Sequence, residues 1–219
     1  MKGLILLFSA IAFAVATCTA QDFKSTLQKT FDAFENTQDQ QQKADLSNKL
    51  GLISKKWSNE WLAHYYYSFS QAAVSYGEKD EAKRDAYVDE AEKEYDEAKS
   101  ILGKDNDETY VLAAMIANAR LAVKPQSRWQ KYGKLFSEDL GKAKEMNPNN
   151  PRMYYLQGVS KFHTPKMFGG GKKAALPYFE KAEPLFAAEN STDITKPYWG
   201  KNENAYFMGQ CKGDNADKE

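Results

Sequence analysis

The stretch FSEDLGKAKEMNPNNP, residues 136–151, decides the fold class. Phe136, Leu140 and Ala143 follow one another at steps of four and three, so they share one face of a helix. Charged residues fill the positions between. Asn147-Pro148 ends the run, because proline cannot supply the N–H that the helical ladder needs, and Pro151 stands where a new helix opens. The same spacing returns twice, as Ala91, Tyr95, Ala98 and as Ala175, Phe179, Ala182. Small residues let such a helix approach a neighbour, and the large residue between them fills the gap. The segments ahead carry a matching mark: Trp61 then Tyr65, Tyr110 then Ala114, Tyr154 then Gly158. In each an aromatic is followed four positions later by a residue facing the partner helix.

Reading outward, helical periodicity covers nearly the whole chain and no strand-like alternation lasts. Phe23, Leu27, Phe31 and Phe34 predict a first amphipathic helix, and Leu46, Leu50 and Ile53 a second, after the polar stretch Gln38 to Gln42. Trp57, Trp61, Tyr65 and Phe69 predict a third, and Asp80 to Leu102 a fourth. Glu108 to Leu121 is a fifth, stopped by Pro125; Trp129 to Met146 a sixth; Arg152 to Phe162 a seventh. Ala174 to Glu189 is an eighth, in which Pro184 predicts a kink or an end, and Glu203 to Cys211 is a short ninth. His163-Thr164-Pro165 and Gly169-Gly170-Gly171 form a loop. The expected fold is all-α: antiparallel helix pairs stacked as an α-solenoid.

The N-terminus is a separate signal. Lys2, the apolar run Gly3 to Ala16 and the small residues of Thr17-Cys18-Thr19-Ala20 predict a signal peptide over residues 1–20, cleaved before Gln21. Lipidation of Cys18 is the alternative. The expected product is a helical-repeat domain over 21–211 and a polar, disordered tail over 212–219, exported to the periplasm or the outside. No second apolar run is long enough to span a bilayer. The chain balances 30 basic against 30 acidic residues, and loss of Lys2 leaves a net charge of −1. A nucleic-acid binder normally needs a basic face, so that class is excluded. After cleavage Cys211 is the one remaining cysteine, and no intrachain disulfide is expected.

These spacings resemble the tetratricopeptide repeat family, whose pattern is an early aromatic, Gly or Ala, then Ala-x3-Phe-x2-Ala and a closing proline. The resemblance covers Asn59 to Ala188. Pro148-Asn149-Asn150-Pro151-Arg152, Thr164-Pro165 before Phe168-Gly169-Gly170-Gly171, and Trp199-Gly200 are similar to exported tetratricopeptide-like proteins of the Bacteroidetes type. The Thr-Pro and Phe-Gly-Gly element also resembles helical-repeat proteins of periplasmic solute uptake. The spans from Tyr65 to Ala91, Ala114 to Phe136 and Gly158 to Ala175 are 26, 22 and 17 positions, so helices or turns are longer than in the standard repeat of about 34 residues.

The resemblance implies a concave face that binds a protein or peptide segment. Its register puts Leu62, Tyr66, Val111, Met115, Asn118, Arg152, Tyr155 and Val159 on or near that face. Tyr66, Met115 and Val159 stand where carboxylate-clamp members carry Asn, which argues against a chaperone-tail partner. The competing expectation is a solute-binding accessory of an uptake system, with a pocket at Phe168, Gly169, Gly170, Gly171 and Trp199. No phosphate-binding loop is present, since no Ser or Thr follows Lys172 and residue 166 is Lys. His64 and His163 lack a ligand cluster, so no metal site and no cofactor is expected. Glu90, Glu92 and Glu94 alternate with Lys and read as a solvated face. With no nucleophile motif, and Cys211 at a frayed end, an enzyme is not expected.

Overall fold

The computed structural model describes residues 22–189 and 193–213. The expected signal peptide, Cys18 and residues 214–219 lie outside these. Among the described residues there is no strand. Helix α1 covers 22–36. It is followed by α2 (Gln40–Lys56), α3 (Trp61–Gly77), α4 (Glu81–Leu102), α5 (Asp107–Val123), α6 (Pro125–Met146), α7 (Pro151–His163), α8 (Lys172–Ala188) and α9 (Lys201–Gly213). Among the described residues, no helix is long and apolar enough to cross a membrane.

The helix starts follow from local chemistry. The Asp39 and Asp80 side chains accept from the amides of Gln42 and Lys83, and Asn106 forms a capping box with Thr109. Asn150 caps α7 directly ahead of Pro151. Gly103 ends α4 in the left-handed conformation, φ 75°.

Four boundaries differ from expectation. Trp57 caps the end of α2 rather than entering α3. Pro125 does not merely stop α5; it opens α6 at the first helical position, where its missing N–H costs nothing. Helix α8 does not end at Pro184; it runs through Pro177 and Pro184 to Ala188. Cys211 is buried where α9 packs on α8 through Ala175 and Phe179, so it is not at a frayed end, and α9 reaches Gly213.

Helices pack as the pairs α3/α4, α5/α6 and α7/α8, with α3, α5 and α7 forming an inner row. The repeat positions are the contact points. Ala91, Ala98, Phe136, Leu140, Ala143, Ala175, Phe179 and Ala182 are all buried. A Cβ on Gly158 would sit 2.5 Å from the Phe179 ring, so only glycine lets α7 and α8 meet there. In the first pair the contact is polar. His64 Nδ1 and Glu94 Oε2 lie 2.6 Å apart, both buried. Glu94 is therefore not on a solvated face, because α3 supplies a partner 30 residues away. Glu92, half-buried, pairs with Arg120 at 2.9 Å.

The inner row is covered by the chain itself. Phe31 of α1 packs 4.4 Å from the Tyr66 ring and 5.7 Å from Phe69. Residues 193–200 then cross the same face. Trp199 is 1 % exposed, packs 4.7 Å from the Phe69 ring at a tilt and donates its indole N–H to the Tyr65 hydroxyl at 3.0 Å. The Tyr66 hydroxyl donates to the Ile194 carbonyl at 3.0 Å, and Tyr198 donates to Asp32 of α1 at 2.6 Å.

Candidate functional site

Six of the eight concave-face residues are buried: Leu62, Tyr66, Val111, Met115, Asn118 and Arg152. Tyr66 and Arg152 do converge, but on residues 193–200. Arg152 donates to Glu108 at 3.0 and 3.1 Å, to Glu189 at 2.8 and 2.9 Å and to the Pro197 carbonyl at 2.7 Å. Asn118 donates to the Tyr76 hydroxyl. Tyr155 and Val159, half-buried, pack toward Phe179 and α9. Trp199 and the glycine loop share no opening, since Trp199 is in the core and Phe168 is 70 % exposed.

Among the described residues three surfaces stand out. A cleft of about 490 Å³ beside Arg152 is lined by Trp61, Asp107, Glu108, Glu189 and Lys196. Burial raises the Glu108 carboxyl, and burial lifts that of Glu189 to about 6 against the pull of Arg152. Arg152 is spent on these two carboxylates, so the cleft offers an anion little. A groove of about 250 Å³ between α4 and α6 is lined by the half-buried Tyr95 and Tyr132 and the exposed Leu135 but also by Glu92, Asp96 and Asp139. It too repels negative charge.

The third surface is aromatic and basic. It forms where α7 ends beside α9. Phe162 lies 5.1 Å from Phe207, nearly edge-on, and His163 meets both rings at 5.1 and 5.9 Å. Tyr206, 62 % exposed, packs edge-on to Phe207. Phe207 stacks on Phe179, 5.7 Å away, which anchors the patch to the core. The loop between α7 and α8 folds back on α7: the Gly171 amide donates to the Lys161 carbonyl at 2.8 Å. Gly170 leaves no room for a side chain, since a Cβ would fall 2.1 Å from the Thr164 carbonyl oxygen, and Gly169 and Gly171 have φ of 75° and 95°. The glycines thus serve close packing, and the turn holds Met167 and Phe168 in solvent, 83 % and 70 % exposed. The Lys172 ammonium lies 5.9 Å from the Phe162 ring. Residues 157–174 hold Lys161, Lys166, Lys172, Lys173 and His163 and contain no Asp or Glu.

The two histidines differ. Both ring nitrogens of His64 are engaged, by Glu94 and by the Ser58 carbonyl. His163 is exposed, and its rings of contact are aromatic. Burial against those rings lowers its proton affinity. No group of three or more His, Cys, Asp or Glu residues that could hold a metal ion occurs among the described residues. Of this surface only Phe168 and the glycines were expected from sequence. The acid-free, lysine-rich run around Phe162-His163 was the signal available; Phe207 and Tyr206, 44 residues beyond, had none.

No family model matches the sequence, and no curated protein matches it. Among solved structures, the HusA haemophore from Porphyromonas gingivalis superimposes with a TM-score of 0.73 at 33 % identity. The match covers 90 % of this chain and 95 % of that one. The chain belongs to the same family as HusA. Its likeness to tetratricopeptide proteins is therefore one of architecture, paired helices in a solenoid-like stack.

Proposed function

We propose that this protein is an exported haem carrier, a binding protein rather than an enzyme. It takes the porphyrin against Phe162, Tyr206 and Phe207 and under Met167 and Phe168. The observation that carries the reading is the aromatic surface flanked by four lysines with no acid in the segment, in a chain related to a haemophore. A porphyrin presents a flat apolar face and two carboxylates. Aromatic rings match the face, and lysines match the carboxylates as mobile point charges. The loop tip, shaped by three glycines, adds exposed apolar surface at Met167 and Phe168, a few residues beyond Phe162 in the chain. The predicted signal peptide supplies the route of export. A peptide on the concave face, the other expectation from sequence, has to displace residues 193–200 and expose Trp199, which opposes it.

Titration of the mature protein with haem, followed at the Soret band, tests this. Saturable one-to-one binding is expected. Phe168→Ala and Lys166→Glu weaken it, each by about 1–2 kcal/mol if the residue is an anchor. Trp129→Ala, 60 % exposed on α6, leaves it unchanged. No saturable binding, or equal weakening by Trp129→Ala, overturns the reading.

A further inference from the structure

We propose that the turn between α7 and α8 is a membrane-docking tip: Met167 and Phe168 enter the headgroup region of an anionic phospholipid bilayer, and Lys166 and Lys173 meet its phosphates. This goes beyond the carrier reading and does not rest on haem being the cargo.

The starting point is exposure. Met167 and Phe168 are the two most exposed large apolar side chains among the described residues, at 83 % and 70 %, and they are adjacent. Residues 165–169 are all exposed, so the pair stands on a protruding turn. A protrusion with two apolar side chains suits a fluid surface that yields around it.

The backbone is prepared for the same surface. A main-chain amide that leaves water must keep a hydrogen-bond partner. The amides of Phe168 and Gly170 donate to the Pro165 carbonyl at 2.9 and 3.3 Å, that of Gly169 to the Lys166 carbonyl at 3.0 Å and that of Gly171 to the Lys161 carbonyl at 2.8 Å. Pro165 has no N–H to satisfy. The turn therefore loses little when its tip leaves water.

Charge selects anionic lipid. No Asp or Glu occurs between Glu145 and Glu180, and Glu180 is paired with Lys212 at 3.6 Å. Lys166 and Lys173 flank the apolar pair, both are exposed, and neither forms an ion pair among the described residues. The Lys166 stem lies along the turn, its Cγ 3.0 Å from where a Gly171 Cβ would stand. An apolar stem on the protein with a charged end free for phosphate is how lysine sits at a bilayer surface. Trp129 gives the contrast. It is 60 % exposed on α6 and also lies among bases, but Lys124 pairs with Glu81 and Arg128 with Asp85. Helix α4 neutralises that surface.

Co-sedimentation with vesicles, with porphyrin absent throughout, tests the assignment. The mature protein is expected to pellet with vesicles of three parts phosphatidylcholine to one part phosphatidylglycerol, to pellet less with phosphatidylcholine alone and to be released by salt. The double variants Met167→Ser with Phe168→Ser, and Lys166→Glu with Lys173→Glu, are each expected to lower the partition coefficient about tenfold. Trp129→Ala is expected to leave it unchanged. All these side chains are exposed, so the circular dichroism of each variant should match the wild type. Wild type that stays in the supernatant with both vesicles overturns the proposal and leaves an acidic protein as the occupant of the tip. Pelleting that both double variants retain in full overturns it as well. Neither result touches the haem titration, which uses no lipid, and a failure of haem binding leaves the vesicle result standing.

Discussion

Two aromatic regions lie at opposite ends of one continuous stack of rings. At one end Tyr65, Tyr66, Phe69 and Trp199 are fully or nearly fully buried. Three polar tips there have partners: Trp199 donates to Tyr65, Tyr65 to Glu108 and Tyr66 to Ile194. At the other end Phe162, His163, Tyr206 and Phe207 also touch edge-on, but Phe162 and Phe207 are only half-buried, and His163, Tyr206 and the loop tip meet water. Tyr155 links the two, 6.4 Å from Trp199 and 6.5 Å from Phe207. The same residue types thus do different work. Where every polar atom is satisfied and area is buried, aromatics stabilise the fold. Where the area is exposed in a lysine-rich segment, they are available to a ligand.

Trp199→Ala breaks this comparison most severely. It empties a large buried volume and strips Tyr65 of a hydrogen bond, so a loss of about 3–5 kcal/mol is expected in urea denaturation. A midpoint near wild type would mean that residues 193–200 are an ornament on the inner face rather than part of the core. Ala143→Leu comes next, at about 1–3 kcal/mol, because Ala143 is 0 % exposed in the best-formed repeat contact. An unchanged midpoint would mean the α5/α6 contact yields easily.

The pair His64–Glu94 gives a pH-dependent effect of intermediate size. Its hydrogen bond to Glu94 raises the His64 pKa above the ordinary histidine value of 6.5. That part of the stability is full below 6.5 and fades as pH climbs through the raised folded value. Burial works to raise Glu94, but His64 outweighs it and holds the carboxyl below 4.5, so that part is full above 4.5 and fades as pH falls through the depressed value. The wild-type advantage over His64→Gln is expected to peak between 4.5 and 6.5 and to narrow on both sides. A flat difference from acid to alkali would refute the ion pair. Smallest is Phe168→Ala, expected within about 0.5 kcal/mol of wild type in stability, as befits an exposed side chain, while haem binding falls. A large loss of stability would merge the two regions into one.

The helices and repeat register were legible in the sequence because they rest on contacts three, four and seven positions apart, and on caps such as Asn106 and Asn150. The filling of the inner face was not. Residues 193–200 have no periodicity, and their partners lie far back in the chain: Ile194 meets Tyr66 across 128 positions, Trp199 meets Tyr65 across 134 and Tyr198 meets Asp32 across 166. Glu94 misled for a similar reason, since its lysine-rich neighbours signalled solvent and its partner sat on another helix. In the candidate site, the loop half was visible through its glycines and lysines. The α9 half depends on how Phe207 is carried back onto Phe162, and no local pattern encodes that.

The return of residues 193–200 to the first helix pair alters how the molecule should come apart. An open solenoid has only nearest-neighbour interfaces and can unzip one repeat at a time from either end. Here residues 193–200, the link between α8 and α9, grip α1 and α3, so the two ends of the stack are tied to each other. Loosening α8 and α9 withdraws Trp199 from the first pair, and loosening α1 exposes Tyr198. The array should therefore melt in one cooperative step. Amide exchange should show α3 and α7 protected to the same free energy, rather than a gradient along the chain.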